Sequence, residues 1–455
     1  MKIIIAGCGK VGSMLTGSLS EEGHDLTIID NNPQALENTI ERYDVMSVEG
    51  NCAAMAVLRD AGVESADLLI TATGEDELNL LCCMTAHGMN PNLHTIARIR
   101  RPDYVESTSS PALRKMFALS LTVNPERQTA TEIDRLLRYP AFIKREKFAN
   151  GLVEIVEIKV DKKYSLCDKP LTQLTSITHC QVLVCAVLRN GKYLTPTGDF
   201  VIHEDDRLFV TASSKNLSML MKNIGIAVPK TKNVTIIGGG RNCFYLTRLL
   251  RGENIGIKII EKDMDRCEYL AEMFPDVQVV QGDASLSAVL EREKIERSDA
   301  VIVMTTLDEL NVIISIYARS KNVPQVITKL GRAENQQLIE QLPIGTVVSP
   351  KAFCCETITT YVRAMTNQVG SAATVHLIAD GKAVALEFLV DSATKHLGKP
   401  LREIRIRRNI LMASITRGRN IIIPNGDSSF MAGDRIVLVA QAGTVIHNLN
   451  DIFVE

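Results

Sequence analysis

The chain has 455 residues, too many for one compact core, so three or four domains of ordinary size are expected. Its composition is globular, 45% hydrophobic and 23% charged, and the formal net charge of -2 excludes a dedicated nucleic-acid binder, because neutralising phosphates needs an excess of Lys and Arg. Eleven cysteines without CxxC spacing exclude a disulfide framework and a zinc site and suit buried thiols in a reducing cytosol, and no run approaches 18 apolar residues, so direct membrane insertion is not expected.

From the N-terminus, short β-branched runs predict strands at 2–6, 25–29, 44–48, 67–72, 94–99 and near 120–123, with helices after the first four turns. That alternation predicts a parallel, doubly wound sheet. "KIIIAGCGKVG" (Lys2 to Gly12) carries G-x-G-x-x-G directly after the first strand: Gly7 permits the tight turn, Gly9 lets backbone approach a pyrophosphate, and Gly12 lets the helix pack on the strand. Asp30 closes the second strand 23 residues after Gly7, where a carboxylate accepts from ribose hydroxyls. The "NNPQ" that follows has no Arg for a 2′-phosphate, so NAD(H) or an adenosine nucleotide fits better than NADP. Asn51 sits where an adenine edge is read, Asp76 and Asn79 lie beyond strand four at the same edge, and Arg98 and Arg100 alternate onto one face at the end of strand five, within reach of phosphates. For Asn51, Asp76 and Asn79 a helix cap or turn role is an equal alternative. Beyond residue 140, "LVEIVEIKV" (Leu152 to Val160), "VLVCAVL" (Val182 to Leu188) and "RLFVTA" (Arg207 to Ala212) read as strands around a helical "KPLTQL", a small α+β module in which "TPTGD" reads as a hairpin turn.

The chain is then written a second time. "NVTIIGGGRNC" (Asn233 to Cys243) returns the glycine turn, "IKIIE" (Ile257 to Glu261) the second strand, "VQGDAS" (Val280 to Ser285) the third and "LDELNVI" (Leu307 to Ile313) the fourth helix, at steady offsets of 231 or 232 residues. "GKYLTPTGDFVIHEDDRLFV" (Gly191 to Val210) returns as "GRNIIIPNGDSSFMAGDRIVLV" (Gly418 to Val439), whose "IPNGD" again reads as a hairpin turn. The expected domains are 1–135, 136–228, 229–367 and 368–455. In the second copy Gly238 and Gly240 remain, Cys243 replaces the third glycine, Glu261 replaces Asp30, Asp283 falls on Asn51 and Lys329 on Arg98. Nucleotide binding there is expected with a different affinity or a different nucleotide.

A dehydrogenase on this fold needs a positioned acid or base outside the nucleotide domain. His179, His203, His376, His396 and His447 in the small modules match no position in both copies, and no Ser/His/Asp or Cys/His grouping stands out, so no catalytic residue is assigned and the protein is expected not to be an enzyme. A basic run, "PLREIRIRRN" (Pro400 to Asn409), reads as a solvated, partner-facing strand. An NAD-dependent oxidoreductase stays as the alternative.

In its A, B, A′, B′ order, and in "IIIAGCGKVG", "LTIID", "ATGEDELN", "TIARIRRPDY", "VNPE" and "TPTGDFVIHEDDRLFV", nearly the whole chain resembles the TrkA potassium-uptake proteins, which carry two tandem RCK (KTN) units. The resemblance implies two Rossmann-like domains, each followed by a small α+β RCK C-subdomain. It also implies a non-catalytic cytoplasmic regulator, binding NAD(H) and ATP or ADP, that forms a homotetrameric ring peripheral to the inner face of the membrane. Its partner would be a potassium-translocating subunit of the TrkH or TrkG type, or the channel of another cation. By position, Gly7, Gly9, Gly12 and Asp30 would hold pyrophosphate and ribose, Asn51 would lie near adenine and Arg98 near the phosphates. Glu126 of "NPE" would join a divalent-cation site, a role that Lys351 abolishes in the second copy's "SPK".

Overall fold

The computed structural model describes residues 1–108, 110–138, 145–149, 152–225, 231–331, 342–366, 374–379, 381–444, 446 and 448–454. His447 lies outside them. The first domain runs β1 (Lys2–Ala6), α1 (Lys10–Glu21), β2 (Asp25–Asp30), α2 (Pro33–Ile40), β3 (Met46–Glu49), α3 (Met55–Asp60), β4 (Leu68–Thr71), α4 (Asp76–Met89), β5 (His94–Arg98), α5 (Pro102–Thr108), α6 (Pro111–Met116), β6 (Leu121–Val123) and α7 (Pro125–Arg138). All strands are parallel, in the order β3-β2-β1-β4-β5-β6. β1 and β4 are almost entirely buried because helices cover both faces, which is why they read as continuous apolar runs rather than alternating ones. Asn32 starts α2 by accepting from the amides of Gln34 and Ala35, with Pro33 at the first helical position.

The first small domain holds β7 (Arg145–Phe148), β8 (Val153–Lys159), α8 (Leu174–Thr178), β9 (Leu183–Arg189), β10 (Lys192–Leu194), β11 (Arg207–Ala212) and α9 (Ser214–Asn223), with antiparallel order β10-β9-β11-β8-β7. "TPTGD" is not the hairpin turn: β9 and β10 are joined by Asn190 and Gly191, at φ of 50° and 72°, the Asn-Gly pair that a tight primed turn requires. Thr195 to Asp199 instead begin the loop from β10 to β11, and "IPNGD" takes the same place later on.

The second copy repeats both sheets. Its large domain runs β12 (Asn233–Ile237), α10 (Arg241–Leu250), β13 (Gly256–Glu261), α11 (Met264–Met273), β14 (Gln278–Gln281), α12 (Ser287–Arg292), β15 (Ala300–Val303), α13 (Asp308–Ser320), β16 (Gln325–Lys329), β17 (Thr346–Val348) and α14 (Pro350–Thr366), in the order β14-β13-β12-β15-β16-β17. The last domain holds β18 (Thr374–Ile378), β19 (Ala383–Leu389), β20 (Ile410–Arg417), β21 (Asn420–Ile422) and β22 (Arg435–Gln441), in the order β18-β19-β22-β20-β21.

The copies pair like with like into two compact units, Met1–Arg138 with Lys230–Thr359 and Tyr139–Pro229 with Thr360–Glu455. In the first unit the pairing exchanges helices. α7 buries Thr129, Ala130, Ile133, Leu136 and Leu137, a stripe at helical spacing, and the last four join the core of the second copy beside Phe244, Tyr245 and Leu250 of α10. In return the Cys355 thiol of α14 lies against the Val11 carbonyl on α1, and Thr357 accepts from Gln128 at 2.7 Å. In the second unit Phe148, Cys185 and Phe209 share one apolar layer with Ile378, Ala385, Ala413 and Val439.

Candidate functional site

Each glycine of the first turn has a separate geometric reason. Gly7 adopts φ +105°, and a Cβ there would stand 2.9 Å from the Thr73 nitrogen. A Cβ on Gly12 would stand 1.8 Å from the Gly7 carbonyl oxygen, so only glycine lets α1 pack on the turn. Gly9 meets nothing within 4 Å and faces open space at the start of α1, where unpaired helix amides favour an anion. Asp30 at the end of β2 accepts from the Cys8 amide with one oxygen and from the Asn32 amide at 2.9 Å with the other. The carboxylate thus braces the turn while each oxygen keeps a further lone pair.

The remaining candidates divide between structural work and a second feature. Asn51 is exposed at the end of β3 and its Oδ1 accepts from the Ala53 amide at 3.0 Å, a local turn. Asp76 is buried, and its Oδ2 accepts from the amides of Arg100 and Arg101 at 2.9 and 2.8 Å, fixing the chain after β5. Asn79 bonds Thr73 and the Arg98 carbonyl, tying β4 to β5. Arg98 reaches the Thr73 carbonyl and turns its side chain towards the second copy.

There, within the first unit, lies a cleft of about 420 Å³ between the two large domains. It is lined by Lys10, Arg98 and Arg100 of the first copy and Lys329 and Lys351 of the second, against the carboxylates of Glu126, Asp308 and Glu309. Burial pushes the Arg98 guanidinium below its usual value, with the neighbouring Arg100 charge adding to the effect, and burial likewise pushes the Lys329 ammonium down. Both cations are therefore held where their charge is poorly solvated, an arrangement that an incoming anion relieves. Glu126 pairs with Arg100 at 2.7 Å through Oε1. Three buried polar atoms of the cleft have no partner among the described residues: Arg98 Nε, Glu126 Oε2 and Asn242 Oδ1. Such groups cost free energy unless a ligand or water completes them.

As a cation site the cleft is incomplete on its own residues. Glu126 offers one open oxygen, while both oxygens of Asp308 accept from the Gly331 amide at 2.9 and 3.0 Å, and Lys351 donates to the Gly331 carbonyl. With five cationic side chains around it among the described residues, a divalent ion would fit only if a ligand brought further oxygens.

The second glycine turn is built on a different solution. Gly238 takes φ +101° and Gly240 faces open space, as in the first copy, but Cys243 fills the third position and is fully buried. Glu261 is one methylene longer than Asp30. It still reaches the turn, accepting from the Gly239 amide through Oε2 and from the Lys262 and Asp263 amides through Oε1, at 2.7 and 2.9 Å. At the position of Cys8 the second copy has Gly239, where a Cβ would meet Leu270 Cδ1 at 2.7 Å and Glu261 Oε2 at 3.0 Å. Asp283 pairs with Lys262 at 2.8 Å, which holds its carboxyl well below the usual range. Arg266 donates to the Gly239 carbonyl at 2.6 Å and so lies across the turn.

Lys10, Asn242 and Asp308 lie inside the repeated segments, but nothing in the sequence alone assigns them to a ligand. The signal that points to them is the duplication itself, since the two copies pair within one compact unit and both line the cleft.

Fold and site together define a tandem pair of nucleotide-type Rossmann domains, joined around a charged cleft and each followed by a small domain built on an antiparallel sheet. The TrkA-N domain family matches residues 3–117 and 234–350, and the TrkA-C domain family matches 155–225 and 385–449. The Trk system potassium uptake protein TrkA homolog of Archaeoglobus fulgidus is 30% identical over all of both chains, and homolog 1 of Methanosarcina mazei is 31% identical over 97% of this chain and 98% of that protein. The chain belongs to the TrkA family. The GsuK RCK domain shares its fold at TM-score 0.63 and 19% identity over 96% of this chain and 92% of that one. The GsuK channel bound to NAD does so at TM-score 0.64 and 20% identity over 96% and 76%.

Proposed function

We propose that this protein is a nucleotide-sensing regulatory subunit of a Trk-type potassium uptake system, not an enzyme, and that it gates a separate membrane subunit of the TrkH or TrkG type. The observation that carries the reading is the junction of the first glycine turn with the cleft: Lys10 and Val11 open α1 and also line the space between the copies. A nucleotide whose ribose meets Asp30 and whose first phosphates meet the amides near Gly9 would extend further phosphates towards Arg98, Lys329 and Lys351. ATP, ADP and NAD(H) would then differ in how much charge they place between the copies, and hence in which packing they favour. A tenfold difference in affinity between two packings is worth about 1.4 kcal/mol per site, and coupled sites in a homotetrameric ring would add. A divalent cation at Glu126 would arrive on phosphate oxygens, with Oε2 as its protein ligand. No helix among the described residues is long and apolar enough to cross a membrane.

The test is calorimetric titration of the protein with NADH, NAD, ATP and ADP, beside an Asp30→Asn variant, with nicotinamide absorbance followed throughout. Saturable binding without turnover, weakened about 10-fold or more when a charged acceptor is lost, supports the reading. Steady oxidation of NADH with any cell metabolite would replace it with the oxidoreductase. Potassium flux through the reconstituted membrane subunit, unchanged by any nucleotide, would end the gating part.

A further inference from the structure

The basic run Pro400 to Asn409 has no counterpart in the first copy. At the matching positions "KPLTQLTSIT" (Lys169 to Thr178) has a single cation, and its Leu174 and Thr178 are buried as it closes into α8. The second copy alternates apolar and cationic residues, "IRIRR", a period of two that suits extended chain. That segment is extended: the Arg407 amide bonds the Ile452 carbonyl at 2.8 Å and the Val454 amide bonds the Arg405 carbonyl at 2.9 Å. Ile404 turns inward, while Arg402, Arg405, Arg407 and Arg408 are exposed. On the other side of the same C-terminal segment the Lys395 amide bonds Asn450 Oδ1 at 2.8 Å, and Lys399 is exposed between them. One surface thus carries six cations between Lys395 and Arg408, with Glu403 the one carboxylate inside that stretch. Asp427 pairs with Arg402, whereas Arg405 and Arg408 make no ion pair among the described residues. Leu397, Met431 and Val454 are exposed beside these cations, held there by the Gly398 to Phe430 and Val454 to Arg405 backbone bonds.

We infer that this surface binds the phosphate headgroups of an anionic phospholipid membrane. Unpaired guanidiniums match phosphate oxygens in pairs, and single exposed apolar side chains among them suit the boundary between headgroups and acyl chains. An extended acidic peptide is the poorer occupant, because the backbone edge it would use, Arg405 to Arg407, is already paired with Ile452 to Val454. The inference is independent of nucleotide sensing, and its assay reads neither nucleotide nor ion flux.

The experiment is flotation of the full-length protein with vesicles of phosphatidylcholine alone or mixed with phosphatidylglycerol. Partition onto the mixed vesicles only, falling as salt shortens the screening length, is expected. The Arg405→Gln/Arg408→Gln variant should lose on the order of 30-fold in partition, two exposed charges at the membrane surface, while its thermal unfolding stays unchanged. Equal partition onto neutral vesicles, absence of partition, or partition unaffected by the variant would overturn the inference. Absence of partition together with retention on immobilised polyglutamate, lost in the variant, would overturn it in favour of an acidic polypeptide.

Discussion

The role of Glu126 can be decided by the sign of one effect. Glu126→Gln keeps the shape of the side chain and its bond from Arg100 but removes one of the three carboxylates that, among the described residues, line the cleft beside five cations. For a phosphate ~7 Å away at an effective dielectric constant of ~20, one charge is worth about 2 kcal/mol, which solvent and salt at the open side reduce to about 1 kcal/mol. Without divalent metal the variant should therefore bind ATP about 5- to 10-fold more tightly than the parent, because a repulsive charge has gone. With magnesium the order should reverse, because only the parent has an oxygen to complete the ion. AMP, which places no phosphate in the cleft, should be indifferent to the substitution. Calorimetry in chelator and in magnesium gives all the numbers. Weaker ATP binding by the variant in chelator would refute the reasoning, since Glu126 would then be touching the nucleotide directly.

Three further outcomes follow from the packing. Ile133→Ala empties a fully buried position of α7 in the core of the other copy, and should cost about 2 to 5 kcal/mol by urea unfolding. The same loss should be absent from a fragment ending before Tyr139 if the exchanged docking is real. Gly12→Ala drives a Cβ into the Gly7 carbonyl, and should cost about 1 to 3 kcal/mol and abolish calorimetric binding at the first turn, whereas Cys243→Ala at the matching position should leave the second turn intact. The fully buried thiols of Cys83 and Cys243 are pushed up by desolvation from 9.0 to about 12. The folded state then binds more protons than the unfolded one between those values, so stability is complete below pH 9 and falls above it, by about 1.4 kcal/mol per thiol at pH 10. Denaturation at pH 8 and pH 10 should show a shallower fall in Cys83→Ala and Cys243→Ala variants, and an unchanged fall would show that these thiols do not govern it.

The parallel, doubly wound sheet and the glycine turn were legible because both rest on local rules: β-branched runs alternating with helical stretches mark a parallel sheet, and three glycines at fixed spacing have one backbone use each. Asp76 shows where such rules stop. A carboxylate at the first position of α4 reads equally as a cap or a ligand, and only the fold brings the amides of Arg100 and Arg101 to it. The hairpin expected at "TPTGD" lies instead at Asn190-Gly191, an Asn-Gly pair that is the stronger turn signal. The exchange of α7 was beyond reach for another reason: Ile133, Leu136 and Leu137 declare a buried face but not which domain covers it. The cleft inherits that limit, since Lys10 and Lys351 meet only through the pairing of the copies.

That pairing explains why a duplicated chain can do what two identical chains cannot. In a symmetric pair of separate subunits, whatever stands at one position of the shared cleft stands opposite itself, so a glutamate faces a glutamate. Joined in one chain, the halves are free to differ: Glu126 is answered by Lys351, Arg98 by Lys329, and the Cys8–Asp30 turn by Gly239–Glu261. Each change is compensated locally, as the glycine at 239 compensates the longer glutamate, so the fold tolerates the divergence while the electrostatics do not stay symmetric. A polyphosphate entering from the first turn and one entering from the second would meet different charges in the same space. Two opposite orientations of one ligand are therefore not equivalent in this cleft, as they would be between identical subunits.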